Sequence, residues 1–115
     1  MTNDRHRIYH FFCCDLATDF NDVALAILIE RFKIWIGHNK GTGIFHIHGR
    51  TWTKKSLDHI AYSFPYWSKR QISKLIDKAV RKKILRKECL DDDVGDRTMW
   101  YAFEDEEEFL NGENQ

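Results

Sequence analysis

A proline followed by a capped amphipathic helix is the feature that most constrains the fold of this chain. Pro65 ends any helix before it, because proline lacks the backbone N–H that a helix interior needs. Ser68 and Gln71 have the spacing of a capping box, so a new helix is predicted to begin at Ser68 and to run to about Lys83. The apolar residues of this segment recur at the period of one helical face: Ile72, Leu75, Ile76, Ala79 and Val80.

The opposite face of the same helix is basic. It carries Lys69, Arg70, Ser73, Lys74, Lys78 and Arg81. A helix of this kind, entered through a tight turn, is typical of the second, or recognition, helix of a helix-turn-helix, which docks in the major groove of DNA. The residues predicted to read bases are Ser68, Lys69, Arg70, Ser73 and Lys74. Arg70 is the first choice among them, because arginine pairs bidentately with guanine. The alternative interpretation, a solvated basic face, has the same pattern.

Charge is distributed unevenly along a chain whose formal net charge is zero. Residues 54–87 hold eleven lysines and arginines against two aspartates, a net charge of +9. Residues 88–115 hold eleven acidic residues against one arginine, a net charge of −10. The basic block indicates a surface for a polyanion such as DNA, and we hypothesise that the acidic tail competes weakly for it as an autoinhibitor. The predicted phosphate contacts are Lys54, Lys55, Tyr66, Lys78, Arg81 and Lys82, with Lys83, Arg86 and Lys87 as further candidates.

Hydrophobic periodicity predicts a long helix before the turn. It runs from Val23, behind an Asn21 cap, to about His38, and it is expected at the centre of the core. Its main buried stripe comprises Leu25, Leu28, Ile29, Phe32, Trp35 and Ile36. Three glycines between residues 37 and 43 are expected to end this helix and to open a loop.

Shorter elements are predicted on either side of the long helix. Residues 7–14 are rich in strand formers and favour a short strand or an extended arm. Residues 44–53 alternate loosely and are predicted to contain a short strand. A second helix, capped by Ser56 or Thr53, then leads to the turn. The three cysteines lack any paired spacing, so they are interpreted as small buried apolar residues.

The residues after the basic helix predict a β-hairpin. Strand formers at 84–89 and 98–103 flank an aspartate-rich turn at 91–96. Residues 104–115 are acidic and polar and are predicted to be a disordered tail. The predicted fold is therefore α+β and mainly α: a winged helix-turn-helix domain over residues 1–103, with three helices and a C-terminal β-hairpin as the wing.

Two motifs carry a resemblance to a known family. Phe-Pro-Tyr-Trp-Ser at 64–68 precedes the basic helix, and Asp-Arg-Thr-Met-Trp-Tyr at 96–101 follows the predicted wing turn. With Trp-Thr at 52–53, they resemble the winged-helix domains of phage and prophage replication proteins of the replisome-organiser type, over roughly residues 20–103. The resemblance implies a winged-helix fold, double-stranded DNA as ligand, and the start of the helix at Ser68 as the reading edge. The wing turn departs from the family, because it is acidic here and often basic or neutral there.

The predicted function is sequence-specific binding of double-stranded DNA by a protein of phage or mobile-element type, in transcriptional regulation or replication control. The alternative is a protein-interaction module of the same fold, which binds a host or replication protein through its acidic tail and wing. A third interpretation is single-strand binding by exposed tryptophans, although their positions favour the core. No catalytic motif is present, so we predict neither enzymatic activity nor a cofactor. His46 and His48 have no third ligand at a recognisable spacing, so no metal site is predicted.

Location and assembly are also predicted from sequence. No apolar run approaches the length of a membrane span, and the first residues are polar, so the chain is expected in the cytoplasm without a membrane partner. A homodimer is predicted because one short domain offers DNA only a modest contact area. Its expected surface is the N-terminal segment, with Phe11 and Phe12, and the broadly apolar stretch 23–36.

Overall fold

The structure, a computed structural model, describes residues 7–91, 95 and 97–111. The fold is α+β, as predicted, and most of the regular structure is helical. The predicted turn positions 92–94 and 96, and the tail positions 112–115, lie outside the described residues. The elements in chain order are α1 (Cys14–Phe20), α2 (Val23–Thr42), β1 (His46–Ile47), β2 (Arg50–Thr51), β3 (Thr53–Lys55), α3 (Leu57–Ser63), α4 (Lys69–Arg81), β4 (Leu85–Glu88), β5 (Met99–Phe103) and a π-helical turn over Glu107–Asn111.

The long helix α2 lies at the centre of the core, as predicted. Its fully buried residues are Leu25, Leu28, Ile29, Phe32 and Ile36. Asp22, rather than the predicted Asn21, caps it: the Asp22 carboxylate accepts a hydrogen bond from the Leu25 N–H at 3.0 Å. Asn21 has φ of 55° and ends α1 instead, because asparagine tolerates the left-handed conformation that closes a helix.

The C-terminal end of α2 extends beyond the predicted boundary. Gly37 and Gly41 fall inside the helix, and Gly43, with φ of 76°, is the residue that ends it. The buried Asn39 side chain donates a hydrogen bond to the Trp52 carbonyl at 2.8 Å, which fixes the last turns of α2 to the start of β3. Tertiary contacts of this kind override the weak helix propensity of glycine.

The N-terminal segment does not form the predicted strand, which leaves the alternative of an extended arm. Residues 7–13 have no regular structure, and α1 follows where the predicted strand or arm was to end. Leu16 and Phe20 of α1 pack against the main core. The interpretation of the cysteines as buried residues is wrong for Cys14 and Cys89, which are exposed. Over the residues that the structure describes, no helix combines the length and the apolar composition needed to cross a bilayer.

Two antiparallel sheets carry the strands. The predicted hairpin is confirmed, since β4 and β5 pair with Leu85 opposite Phe103. The strand β3 adds to the other edge of β5, giving the order β3-β5-β4. The smaller sheet is the β1–β2 hairpin, whose two-residue turn has positive φ at both His48 and Gly49, as a tight type I′ turn requires. His48 therefore does not share a strand face with His46.

The two helices around Pro65 form as predicted. Ser56 caps α3 by accepting a hydrogen bond from the His59 N–H at 3.1 Å. The capping box of α4 is complete: the Gln71 N–H donates to Ser68 Oγ at 3.1 Å, and the Ser68 N–H donates to Gln71 Oε1 at 2.8 Å. The apolar faces of both helices enter the main core through Ile60, Phe64, Ile72, Ile76 and Ala79.

The acidic segment after β5 is folded, so the prediction of disorder is wrong for residues 104–111. Phe109 is 6% exposed, and its ring stacks on Phe103 with centroids 4.9 Å apart. Glu106 accepts a hydrogen bond from the Thr51 N–H at 2.8 Å and lies 3.3 Å from Lys40 Nζ. One buried aromatic ring and one well-bonded carboxylate thus make the segment part of the domain, despite its acidic composition.

Replacing the buried ring of this segment should destabilise the whole domain. We expect Phe109→Ala to lower the free energy of unfolding by about 3–5 kcal/mol, the usual cost of removing a buried phenylalanine. Urea denaturation followed by circular dichroism measures the change. Glu108→Ala, at an exposed neighbouring position, is the matched control and should stay close to wild type. Equal midpoints for the two variants would contradict the packing of this segment.

Candidate nucleic-acid interface

The outward face of α4 presents a stripe of charged side chains. Arg70, Lys74, Asp77 and Arg81 are all exposed and follow one another at helical spacing, opposite the buried Ile72. The three cations have no ion pair or side-chain hydrogen bond to any described residue. A row of cations without carboxylate partners can bind an external anion without first losing an internal contact.

The N-terminal end of α4 is organised by its cap. The Ser68 hydroxyl is occupied as the acceptor of the capping bond, so its oxygen primarily fixes the helix start. Lys69 pairs with Asp58 of α3, but both side chains are largely exposed, and such a pair contributes little. Of the predicted base-reading set, Arg70 and Lys74 are therefore the most available, and Lys69 is available at small cost.

A groove of about 390 Å³ lies between α4 and the β4–β5 hairpin. Ser73 lines it from the helix, and Lys55, Lys87 and Arg97 line it from the sheet and its turn. Tyr101 also lines the groove; its burial and the nearby Asp77 carboxylate raise the pKa of the phenol to about 12, so the phenol is neutral near pH 7. Three cations, from β3, from β4 and from the segment just before β5, thus face the first two turns of α4.

Lys78 has a structural contact that the sequence did not indicate. Its ammonium group pairs with the carboxylate of Asp22, the residue that caps α2. Burial by itself would raise the pKa of Asp22, but hydrogen bonds from Lys78 and from the backbone N–H groups of Leu25 and Ala24 hold that pKa below its ordinary value. The pair ties α4 to the start of α2, so Lys78 is engaged inside the domain and not free for the predicted phosphate contact.

The two lysines of β3 also have partners within the domain. Lys54 Nζ lies 3.0 Å from Asp91 and 5.7 Å from the centre of the Trp100 ring. Lys55 Nζ lies 5.0 Å from the centre of the Trp35 ring, and burial lowers its pKa. Lys55 has only this aromatic neighbour among the described contacts and still lines the groove, whereas Lys54 is held by a carboxylate.

Tyr66 lies at the turn between α3 and α4. Its hydroxyl shares a hydrogen bond with His10 Nδ1, and half of the side chain is exposed. The pKa of His10 is lowered, mainly because burial disfavours the charged ring and secondly because Arg31 is nearby, while a backbone hydrogen bond to Ser63 opposes both effects. Tyr66 thus joins the N-terminal segment to the turn and keeps an exposed edge beside α4.

The remaining predicted phosphate contacts divide into two groups. Arg86 lies between Glu88 and Glu104, 3.2 Å from the first and 3.5 Å from the second, so carboxylates already occupy it. The others among these candidates are exposed cations without a partner among the described residues: Arg81, Lys82, Lys83 and Lys87. Sequence reasoning did not select Arg97, which is exposed in the groove; its position directly after the turn was the available signal.

The folded part of the acidic segment does not cover α4. Glu106 contacts Thr51 and Lys40, and the Glu104 side chain contacts Arg86. The carboxylates of Glu104 and Glu106 are therefore bound to residues of α2, β2 and β4, and autoinhibition by the acidic segment stays a hypothesis. The four tryptophans contribute to the packing of the domain: Trp52 and Trp100 are buried, and Trp35 and Trp67 pack against the main core.

Neither a family model, nor a curated protein, nor a solved structure matches this chain. The site is therefore defined by the residues and contacts given above.

The Asp22–Lys78 pair should make stability depend on pH. The pKa of Asp22 is lower in the folded chain than in the unfolded chain, so the pair stabilises the fold above the ordinary value of 3.8 and this stabilisation is lost as the pH falls through the lowered folded value. We expect Asp22→Ala to cost about 1 kcal/mol at neutral pH through loss of the cap. Asp22→Asn keeps a capping side chain, so it should lose less of the free energy of unfolding. Its urea midpoint should also fall less steeply than that of wild type as the pH is lowered into the acid range. An acid limb identical to wild type in Asp22→Asn would refute this role.

Proposed function

We propose that this chain is a winged helix-turn-helix protein that binds double-stranded DNA through α4 and the β4–β5 hairpin. The order of α2, β3, α3, α4, β4 and β5, with β3 paired to β5, supports the winged-helix assignment. The five residues 64–68 between α3 and α4 form a short turn of the kind that helix-turn-helix proteins use. The resemblance of the 64–68 and 96–101 motifs to phage replication domains supports the same assignment.

The observation that carries the proposal is the unpartnered basic stripe of α4. The domain pairs several of its cations with carboxylates, as it does at Lys54, Lys78 and Arg86. On α4 it leaves Arg70, Lys74 and Arg81 exposed on one face. A helix of this width fits the major groove of B-DNA, and its apolar face is already committed to the core.

We infer different roles for the two ends of this surface. Arg70 lies in the first turn of α4, where a recognition helix contacts base edges, and its guanidinium suits guanine. Lys74 and Arg81 lie further along the same face and suit phosphates. Lys87 and Arg97, across the groove, suit the phosphates of the strand that passes between helix and hairpin. The negative charge of Asp77 within the stripe repels a phosphate at that position. It therefore limits the positions that α4 can adopt along the DNA backbone.

The proposal also includes a biological role for this DNA binding. We infer transcriptional regulation or replication control in a phage or mobile element, with support from the two motifs alone. The protein-interaction alternative relied on the acidic tail and the wing, and two carboxylates of that tail, those of Glu104 and Glu106, already bind partners within the domain. The single-strand alternative depended on exposed tryptophans, and those side chains pack in the cores.

Binding to random-sequence duplex DNA over a salt series tests this function. About five phosphate contacts predict a log–log slope near −4.5, and loss of one contact should make the slope shallower by about 0.9. We expect Lys74→Ala and Arg81→Ala to show that change. On a site selected from random duplexes, Arg70→Ala should lose about 1–3 kcal/mol of discrimination at one base pair. Fluorescence anisotropy with labelled duplex measures all three variants.

Lys40→Ala is the matched control for these variants. It removes one positive charge at the far end of α2, where Lys40 pairs with Glu106 and not with the α4 surface. Its slope and affinity should equal those of wild type. Absence of salt-dependent duplex binding by the wild-type chain would overturn the proposed function. Equal losses in Lys40→Ala and Lys74→Ala would show binding by overall charge and not by α4.

A further inference from the structure

The outward face of α2 is apolar although it faces solvent. Val23 and Ile34 lie on this face at helical spacing, and Ile27 beside them is partly buried and also packs against the main core. Val23 is 51% exposed and Ile34 is 52% exposed. A helix that is apolar on both faces is normally covered on both faces. The inner face of α2 is covered by the core of this domain, whereas Val23 and Ile34 on its outer face remain exposed among the described residues.

The N-terminal segment continues this apolar surface. Tyr9 and Phe11 line a cleft together with Ile27 and Ile34 of α2. Tyr9 is 67% exposed, Phe11 is 75% exposed and the adjoining Ile8 is 80% exposed. Large aromatic and aliphatic side chains exposed together in this way mark interaction surfaces, whereas isolated exposed residues do not.

The same cleft contains a charged group without a partner. Arg31 lines it and makes no ion pair or hydrogen bond with any described residue. Its Nε is buried without an acceptor. A buried donor left without an acceptor is destabilising, so an acceptor from outside the described chain is expected at this position. Glu30 also lines the cleft; one of its carboxylate oxygens lies 3.5 Å from Lys33 Nζ of the same helix, and the other oxygen can accept a further hydrogen bond.

We propose that this surface binds a second copy of the chain, so that α2 and the N-terminal segment form a two-fold homodimer interface. In a two-fold interface both partners present the same surface, which must therefore complement itself. This surface offers apolar side chains and, at its centre, both a carboxylate and a guanidinium. Glu30 of the second copy supplies the acceptor that Arg31 requires.

The size of the surface agrees with a dimer of moderate stability. The exposed parts of Ile8, Tyr9, Phe11, Val23 and Ile34 amount to roughly 600 Å², estimated from the area that such side chains bury when covered. Two copies would bury about twice that area, near the lower bound of stable protein–protein interfaces. None of the residues that line the cleft belongs to the exposed stripe of α4. The proposal does not depend on DNA binding, and its test contains no DNA.

Sedimentation equilibrium of the full chain, over a wide concentration range, tests the dimer. We expect the wild-type chain to dimerise reversibly. Ile34→Lys places a charge in the apolar surface, and Arg31→Glu places a carboxylate opposite Glu30 of the second copy. Each should raise the dimer dissociation constant roughly tenfold or more, as the loss of a central interface contact does.

Tyr62→Ser is the matched control, because Tyr62 is 88% exposed on α3 and outside this surface. It should dimerise like wild type. Circular dichroism confirms that each variant is folded, and Phe11→Ser, outside any helix or strand, replaces Ile34→Lys should that variant not fold. A wild-type chain that stays monomeric throughout would overturn the proposal. So would a dimer that Ile34→Lys (or Phe11→Ser in its place) and Arg31→Glu leave as strong as the Tyr62→Ser dimer.

Discussion

Burial of one face of α2 is the interaction on which the rest of this structure depends. The centre of the Phe32 ring lies 5.3 Å from that of Trp35 and 5.2 Å from that of Tyr101 in the central strand, so Phe32 is a residue at which helix and sheet meet. Full burial of a side chain of this kind stabilises the fold by about 1.5–3 kcal/mol, more than an exposed ion pair does. Because α4 commits its own apolar face to the same core, its basic face has to point outward.

The lysine and arginine side chains of this domain have three different environments. Lys78 pairs with the capping carboxylate of α2, and Arg86 lies between two glutamates. Lys55 lies against a tryptophan ring. Arg70 and Lys74 have no partner among the described residues and are exposed on α4. The basic character of residues 54–87 therefore overstates the charge available to a ligand, and the availability of each cation depends on the nearest carboxylate.

Sequence rules succeeded where the determining contacts are local. The capping box of Ser68 and Gln71 joins residues three apart, and the structure contains it as predicted. The buried stripe of α2 and the β4–β5 hairpin follow from periodicity in the same way. The failures are the end of α2, the helix α1 and the folded segment 104–111. Each depends on distant contacts, such as Asn39 with Trp52, which composition does not reveal.

By itself, the sequence determined where the helices around Pro65 lie, which face of α4 is apolar, and that a basic helix precedes a hairpin. These properties follow from residue spacing, because caps and periodic faces are set within one or two turns of chain. Only the tertiary structure decided which cations stay available, that Asp22 holds Lys78, and that Glu106 bonds to Thr51. Those contacts join residues more than fifty positions apart, and their existence depends on how the core brings distant segments together.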